Sequence, residues 1–271
     1  MVNIILDLLL ILVIPLGVLG AAIATLIAQA VSAVLVTVTL MYRTEGMKLC
    51  LSQIRMYKRM LQSILKIGLP AGFEAIMYSI SNIIVQVSIN NFGVDTMAAW
   101  TAYSKIDFIF WMINSAFGIS VMTFVGQNYG AGKWDRIRRG TKICLGMALI
   151  SAVSVSIILM SAERFLFGIF VNDAGVVEIG IHMMNVIAPA YLLFAFIEVF
   201  SGALRAQGAV VVSTLITMVG ICVLRMIWVT LVAAHGTLEQ VIICYPITWA
   251  AGALAMSIYY IYKQRKIFQA R

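Results

Sequence analysis

The chain has 271 residues, 62% of them hydrophobic and 11% charged, with a mean hydropathy of +1.01. Soluble domains carry about 25% charged residues, so the composition excludes an ordinary soluble domain and predicts an all-α polytopic membrane bundle. Four prolines and several apolar runs of spanning length suit helices rather than a closed barrel.

Taken in order, residues 1–14 are apolar but too short to span, and residues 21–42 form a first full span. The N-terminus lacks a basic n-region and a small-residue cleavage site, so no cleaved leader is expected. Residues 43–66 read as an amphipathic basic linker, and six more spans follow at about 67–89, 97–125, 141–161, 180–204, 210–233 and 240–262. That makes seven full transmembrane helices and a partial one at the N-terminus.

The net charge of +8 does not read as a nucleic-acid patch, because its placement follows topology. Sixteen of the 19 Lys and Arg residues fall in the 43–66 linker, in 126–142, at Arg205 or in the basic tail 263–271. The alternate loops at 90–96, 162–179 and 234–239 hold only Arg164. By the positive-inside rule the C-terminus is cytoplasmic in a cell membrane, and the linker could touch anionic membrane lipids. Cys50, Cys144, Cys222 and Cys244 lack C-x-x-C spacing and read as apolar fillers or thiols, not as a metal site or a disulfide frame.

Several spans carry polar stripes. Between Lys66 and Gly93, Glu74, Tyr78, Ser81/Asn82 and Gln86 recur at helical steps on an otherwise apolar rod. A second stripe holds Trp100, Ser104, Asp107, Trp111, Asn114/Ser115 and Gly118. A third offers Tyr191, Phe194, Glu198, Ser201/Gly202 and Arg205, and Arg225 lies inside the span 210–233. Ionisable groups at membrane depth are costly and mark functional sites. Counting rise along the helices puts Glu74 and Glu198 at one level, and Asp107 and Arg225 deeper, roughly 20 Å from the cytoplasmic edge.

Two arrangements follow. Glu74 and Glu198 face a common cavity and exchange a proton for a cation, while Asp107 and Arg225 form a structural ion pair that fixes helix packing. Simpler roles stand beside the first: Glu74 lies near a helix start, where the dipole favours an anion, and Glu198 could pair with Arg205 at i+7. Tyr78, Trp100 and Trp111 suit a cationic aromatic ligand, or belong to an interfacial belt, the simpler role for Trp100. Enzyme signatures such as G-x-S-x-G, a P-loop or H-E-x-x-H are absent, and the Gly-rich stretch 127–133 reads as a helix terminator. No enzyme activity, cofactor, metal or nucleic-acid partner is expected.

Four stretches together carry a resemblance: LDLLLILVIPLGVLGAAIATLIAQ (6–29), KIGLPAGFEAIMYSISN (66–82), TFVGQNYGAGKWDRI (123–137), and EVFSGALRAQG (198–208) followed by GICVLRMIWV (220–229). They resemble the multidrug and toxic compound extrusion (MATE) transporters, in a superfamily that also holds lipid-linked oligosaccharide flippases. The resemblance implies one six-helix lobe of a twelve-helix, two-lobe exporter of drugs or organic cations driven by H⁺ or Na⁺. Residues 1–42 would be the end of the fifth helix plus the sixth, 43–66 the inter-lobe linker and 67–262 the second lobe. A truncated or half-length form is implied, completed by a first-lobe partner or by self-association.

The stripes give as cation-coupling and substrate-cavity residues Glu74, Tyr78, Asn82, Gln86, Trp111, Asn114 and Glu198, and the resemblance implies that the substrate is a small amphiphile or cation. The sequence departs from the family at three places. Glu74 lies one turn from the usual coupling acid, which would fall near Tyr78. Ala206 replaces a usual Gly and Ser213 a usual Pro. The alternatives are a lipid or oligosaccharide flippase and a non-transporting membrane subunit whose stripes only bury a helix interface.

Overall fold

The computed structural model describes residues 1–42, 48–232 and 236–269. Its helices are α1 (Val2–Val13), α2 (Gly17–Tyr42), α3 (Lys58–Asn90), α4 (Val94–Gly130), α5 (Trp134–Ser161), α6 (Glu163–Phe170), α7 (Ala174–Ala206), α8 (Val210–Val232) and α9 (Leu238–Ile267). Seven of them, α2 to α5 and α7 to α9, are long and apolar enough to cross a membrane. The protein is a multi-pass, all-helical membrane protein, with the spans where apolar runs predict them.

The chain divides into two compact units, residues 1–61 and the part from Gln62 onward. In the first, Pro15 separates α1 from α2, and Gly20 lies against the Leu10 carbonyl, which a Cβ would approach to 2.7 Å. In the second, α7 is the most enclosed helix and packs against α4, α5 and α9. Phe110 of α4 stacks on Tyr191 of α7 with centroids 3.9 Å apart, and Trp249 of α9 is 1% exposed against the same cluster.

Helices in lipid gain little from burying apolar surface and associate through close packing of small residues. Two glycine crossings show this. A Cβ on Gly202 of α7 would stand 2.8 Å from the Gly118 carbonyl of α4, and one on Gly220 of α8 would meet the Gly252 Cα of α9 at 3.3 Å. The turns use glycine differently. Gly93 (φ +99°) and Gly132 (φ +66°) take the left-handed conformation that ends one helix and starts the next. The 127–133 stretch is thus a helix end and turn.

Several boundaries differ from expectation. α3 starts at Lys58 and runs through Pro70, so the last turns of the expected linker are membrane-helix extension. Residues 43–47 of that linker lie outside the described residues. The expected external loop 162–179 contains α6, whose register turns Phe167 into the core. An ion pair between Arg164 and Glu178 at 2.6 Å and an Asp173 cap on α7 order the rest of that segment. At the other end α9 continues beyond residue 263, so most of the basic tail is helical. Residues 233–235 and 270–271 lie outside the described part.

α3 is tied to the bundle by polar side chains. Glu74 reaches α7 and α8, and Asn82 reaches α8.

Candidate substrate and ion cavity

Two cavities lie between α3, α4, α7, α8 and α9. One, about 350 Å³, is lined by Glu74, Glu198, Arg205, Thr217, Gly118 and their apolar neighbours. The other, about 450 Å³, is lined by Asn82, Gln86, Asp107, Tyr103, Tyr245, Trp249 and others. Tyr78 and Trp111 line both. Their rings meet edge to face at 6.4 Å and form the partition between the two. Phe108 and Ile119, 60% and 62% exposed, sit on the rims, so both cavities open sideways out of the bundle.

In the smaller cavity the two acids are treated differently. Arg205 Nη2 donates to both Glu74 carboxylate oxygens, at 2.7 and 2.8 Å, and the Thr214 hydroxyl donates to Oε2 at 3.0 Å. The Glu74 side chain is 14% exposed and that of Arg205 29%. Glu198 lies one helical face away on α7. Its carboxylate occupies the gap where α4 has no side chain, so that a Cβ on Gly118 would collide with it. Among the described residues Glu198 takes no hydrogen bond and no ion pair. The i+7 pairing of Glu198 with Arg205 is not formed, because Arg205 is engaged by Glu74.

In the larger cavity Asp107 anchors a polar chain. Trp111 Nε1 donates to Oδ2 at 2.6 Å and the Tyr191 hydroxyl donates to Oδ1. The Tyr191 and Tyr103 hydroxyls lie 3.4 Å apart. Gln86 Nε2 donates to Asn90 at 2.8 Å along its own helix. Arg225 is 1% exposed and lies behind the cavity wall. Its Nη1 donates to Asn82 Oδ1 at 3.2 Å, and its guanidinium carbon sits 4.2 Å from the Tyr245 centroid and 5.8 Å from that of Tyr78. Among the described residues its Nε and Nη2 have no partner.

The expected ion pair between Asp107 and Arg225 is therefore corrected. Among the described residues neither Asp107 nor Arg225 joins an ion pair. Asp107 is filled by aromatic donors, and Arg225 by an amide and two aromatic faces, because α4 presents its acid toward α7 while α8 presents its base toward α3.

Asn114 is also displaced from the expected site. It is 4% exposed and faces the α4–α5 seam beside Ala148 and Ala152. Three residues beyond Trp111 the face of α4 has swung about 60° toward α5, which puts Asn114 at the edge of the stripe, whereas Gly118 returns to the smaller cavity. Trp100, at 9% exposure, lines the larger cavity rather than standing in a belt at the bilayer surface.

Sequence reading missed Thr214, Tyr103, Tyr191's role as a donor, and Trp249. Thr214 and Thr217 are a polar pair at i and i+3 in an apolar span, which was the available signal. Nothing local marked Gly118 as the space for a carboxylate on another helix.

The fold and cavities are those of a polytopic helical membrane protein with ionisable groups held inside the bundle. The MatE family model matches residues 70–231. That is more than half of the chain, and the protein belongs to the MATE family of membrane transporters.

Among curated relatives, the probable multidrug resistance protein YoeA of Bacillus subtilis (strain 168) is 25% identical over 260 residues, covering 93% of this chain and 56% of that one. The multidrug export protein MepA of Staphylococcus saprophyticus is 25% identical over 245 residues, covering 85% and 54%. The chain thus spans about half the length of the curated relatives it matches. An outward-facing multidrug resistance MATE family transporter of the MOP superfamily superposes with a TM-score of 0.90 at 19% identity, covering 99% of this chain and 61% of that one. A MOP superfamily transporter from Pyrococcus furiosus, described as having a binding pocket of reverse polarity, gives 0.89 at 18% identity, covering 97% and 60%.

Proposed function

We propose that the chain forms the second lobe of a secondary active exporter that moves drugs or organic cations against H⁺ or Na⁺, and that Glu198 is its coupling acid. The observation that carries this reading is the asymmetry of the two acids. Glu74 is held by Arg205 and Thr214, whereas Glu198 faces the same cavity and, among the described residues, takes no ion pair and no hydrogen bond. A carboxylate at membrane depth needs its charge balanced. A proton, a sodium ion or a cationic substrate can do so in turn, and exchange among them is antiport. Glu74 and Arg205 line the cavity with Tyr78 and Trp111, whose aromatic rings offer a wall for a cationic amphiphile.

The lateral openings support a first lobe, in the same or a separate chain, as the opposite wall. The clustering of cations in the α4–α5 turn and at the end of α9 supports a cell-membrane protein with its C-terminus cytoplasmic.

The test joins the first four helices of the Bacillus subtilis relative ahead of Met1 and follows efflux of a cationic dye from cells lacking their own exporters. E198Q is expected to reduce ion-driven efflux more than tenfold, with E198D retaining part of it. If E198Q kept wild-type rates and wild-type dependence on pH and Na⁺, the coupling role would be refuted.

A further inference from the structure

Away from the transport cavities, a groove of about 370 Å³ opens between α5 and α9, lined by Arg138, Lys142, Tyr260, Ile261, Gln264 and Arg265. Both helices pack against α7, and the groove lies where they part near one end of the bundle. Arg138, Lys142 and Arg265 are exposed, and among the described residues no acid lines the groove. Tyr260 forms its base. Its ring stacks on Phe200 of α7 at 4.5 Å, and it is 8% exposed. The end of α9 is pinned in place. Lys263 Nζ donates to the Gln207 carbonyl at 3.0 Å, and Gln264 Nε2 donates to Gln207 Oε1 at 3.0 Å.

The faces running from this groove toward the middle of the spans are apolar. At steps of three and four, Arg138 and Lys142 are followed on α5 by Leu145 and Leu149, which are partly buried against the core. On α9, Arg265 is followed by Ile261, Ile258 and Leu254, which are 50%, 59% and 64% exposed. Three cations thus sit at the head of two apolar tracks. That is the pattern of an amphiphile with an anionic head and long chains.

We propose that this groove binds the phosphate headgroup of an anionic phospholipid from the leaflet at the basic end of the bundle. Arg138, Lys142 and Arg265 supply the charge, and the acyl chains lie along α5 and α9. Basic pockets between spans recognise anionic headgroups in this way, and phosphate suits paired guanidinium donors. A neutral zwitterionic lipid brings its own cation into a site that already holds three. Such a lipid would hold the end of α9 to α5 across a gap the protein leaves open.

The test is native mass spectrometry of the full chain in neutral detergent, titrated with phosphatidylglycerol, phosphatidylcholine or inorganic phosphate. Phosphatidylglycerol is expected to bind at least tenfold more tightly than phosphatidylcholine, and equimolar inorganic phosphate to leave it bound. R138Q/K142Q/R265Q should weaken phosphatidylglycerol at least tenfold. K133Q/R136Q/R139Q, which removes nearby cations outside the groove, should stay within twofold of wild type. Should the groove variant fail to fold, R265Q alone carries the test, with at least threefold weakening expected. Equal binding of the two lipids, wild-type binding by the groove variants, or equal loss in the outside variant would each overturn the proposal. Displacement by equimolar inorganic phosphate would assign the groove to a free anion and overturn the lipid reading.

Discussion

Glu198 of α7 and Gly118 of α4 meet so closely that the carboxylate fills the place of the missing side chain. The absence of a Cβ on one helix sets the position of the acid on another. Gly118→Ala is therefore expected to push the Glu198 carboxylate into the cavity or force α4 away from α7. Efflux by the two-lobe protein should drop at least tenfold. Overpacking costs about 1–3 kcal/mol, so the protein should still fold and elute as wild type on gel filtration. Wild-type transport by this variant would show that the contact has no bearing on function.

The Glu74 carboxylate has one charged and one neutral donor, and the two should be separable by melting. Arg205→Ala removes a charge-assisted hydrogen bond and leaves a half-covered acid, a loss of about 2 kcal/mol. Thr214→Val removes one neutral donor and should lose about 1 kcal/mol. Thermal unfolding in detergent, compared at one scan rate because such unfolding is often irreversible, should rank wild type above T214V and T214V above R205A. The reverse order would mean that Arg205 does not anchor α3.

Arg225 presents the opposite case. Its contact with Tyr245 contributes about 0.5–2 kcal/mol, but each buried donor nitrogen without a partner costs about 1–3 kcal/mol, and among the described residues it has two, Nε and Nη2. The balance predicts that Arg225→Met, apolar and of similar length, melts at or above the wild-type temperature. A clear drop would reveal a partner for the guanidinium that geometry alone does not show.

Tyr191 and Trp111 both donate to Asp107, so their effects should couple. Y191F and W111F are each expected to destabilise by about 1–2 kcal/mol. In the D107N background each should lose less than in wild type, with an interaction energy of about 0.5 kcal/mol or more. Strict additivity would indicate that the short contacts around Asp107 carry no net stability.

The polar stripe of α3 was legible from spacing alone. Glu74, Tyr78, Asn82 and Gln86 all line the cavities because a helix repeats every 3.6 residues and α3 is long and regular through them. The same periodicity placed Trp111 and Gly118 on the cavities, but Asn114, at the edge of that stripe, faces the α5 seam. Pairing was harder to read. Arg205 lies seven residues from Glu198 and 131 from Glu74, and the distant partner wins.

By itself, the sequence determined the class of protein, the number and order of its spans and the faces that carry charge. These follow from composition and from local repeats, which each helix obeys whatever surrounds it. The tertiary structure decided which charges meet. It gave Glu74 to Arg205, left Glu198 open against Gly118, and surrounded Arg225 with rings and an amide in place of an acid. The physical reason is that partner choice depends on how helices rotate and cross. Those crossings are set by close packing at glycines such as Gly118 and Gly202, residues that carry no charge pattern of their own to read.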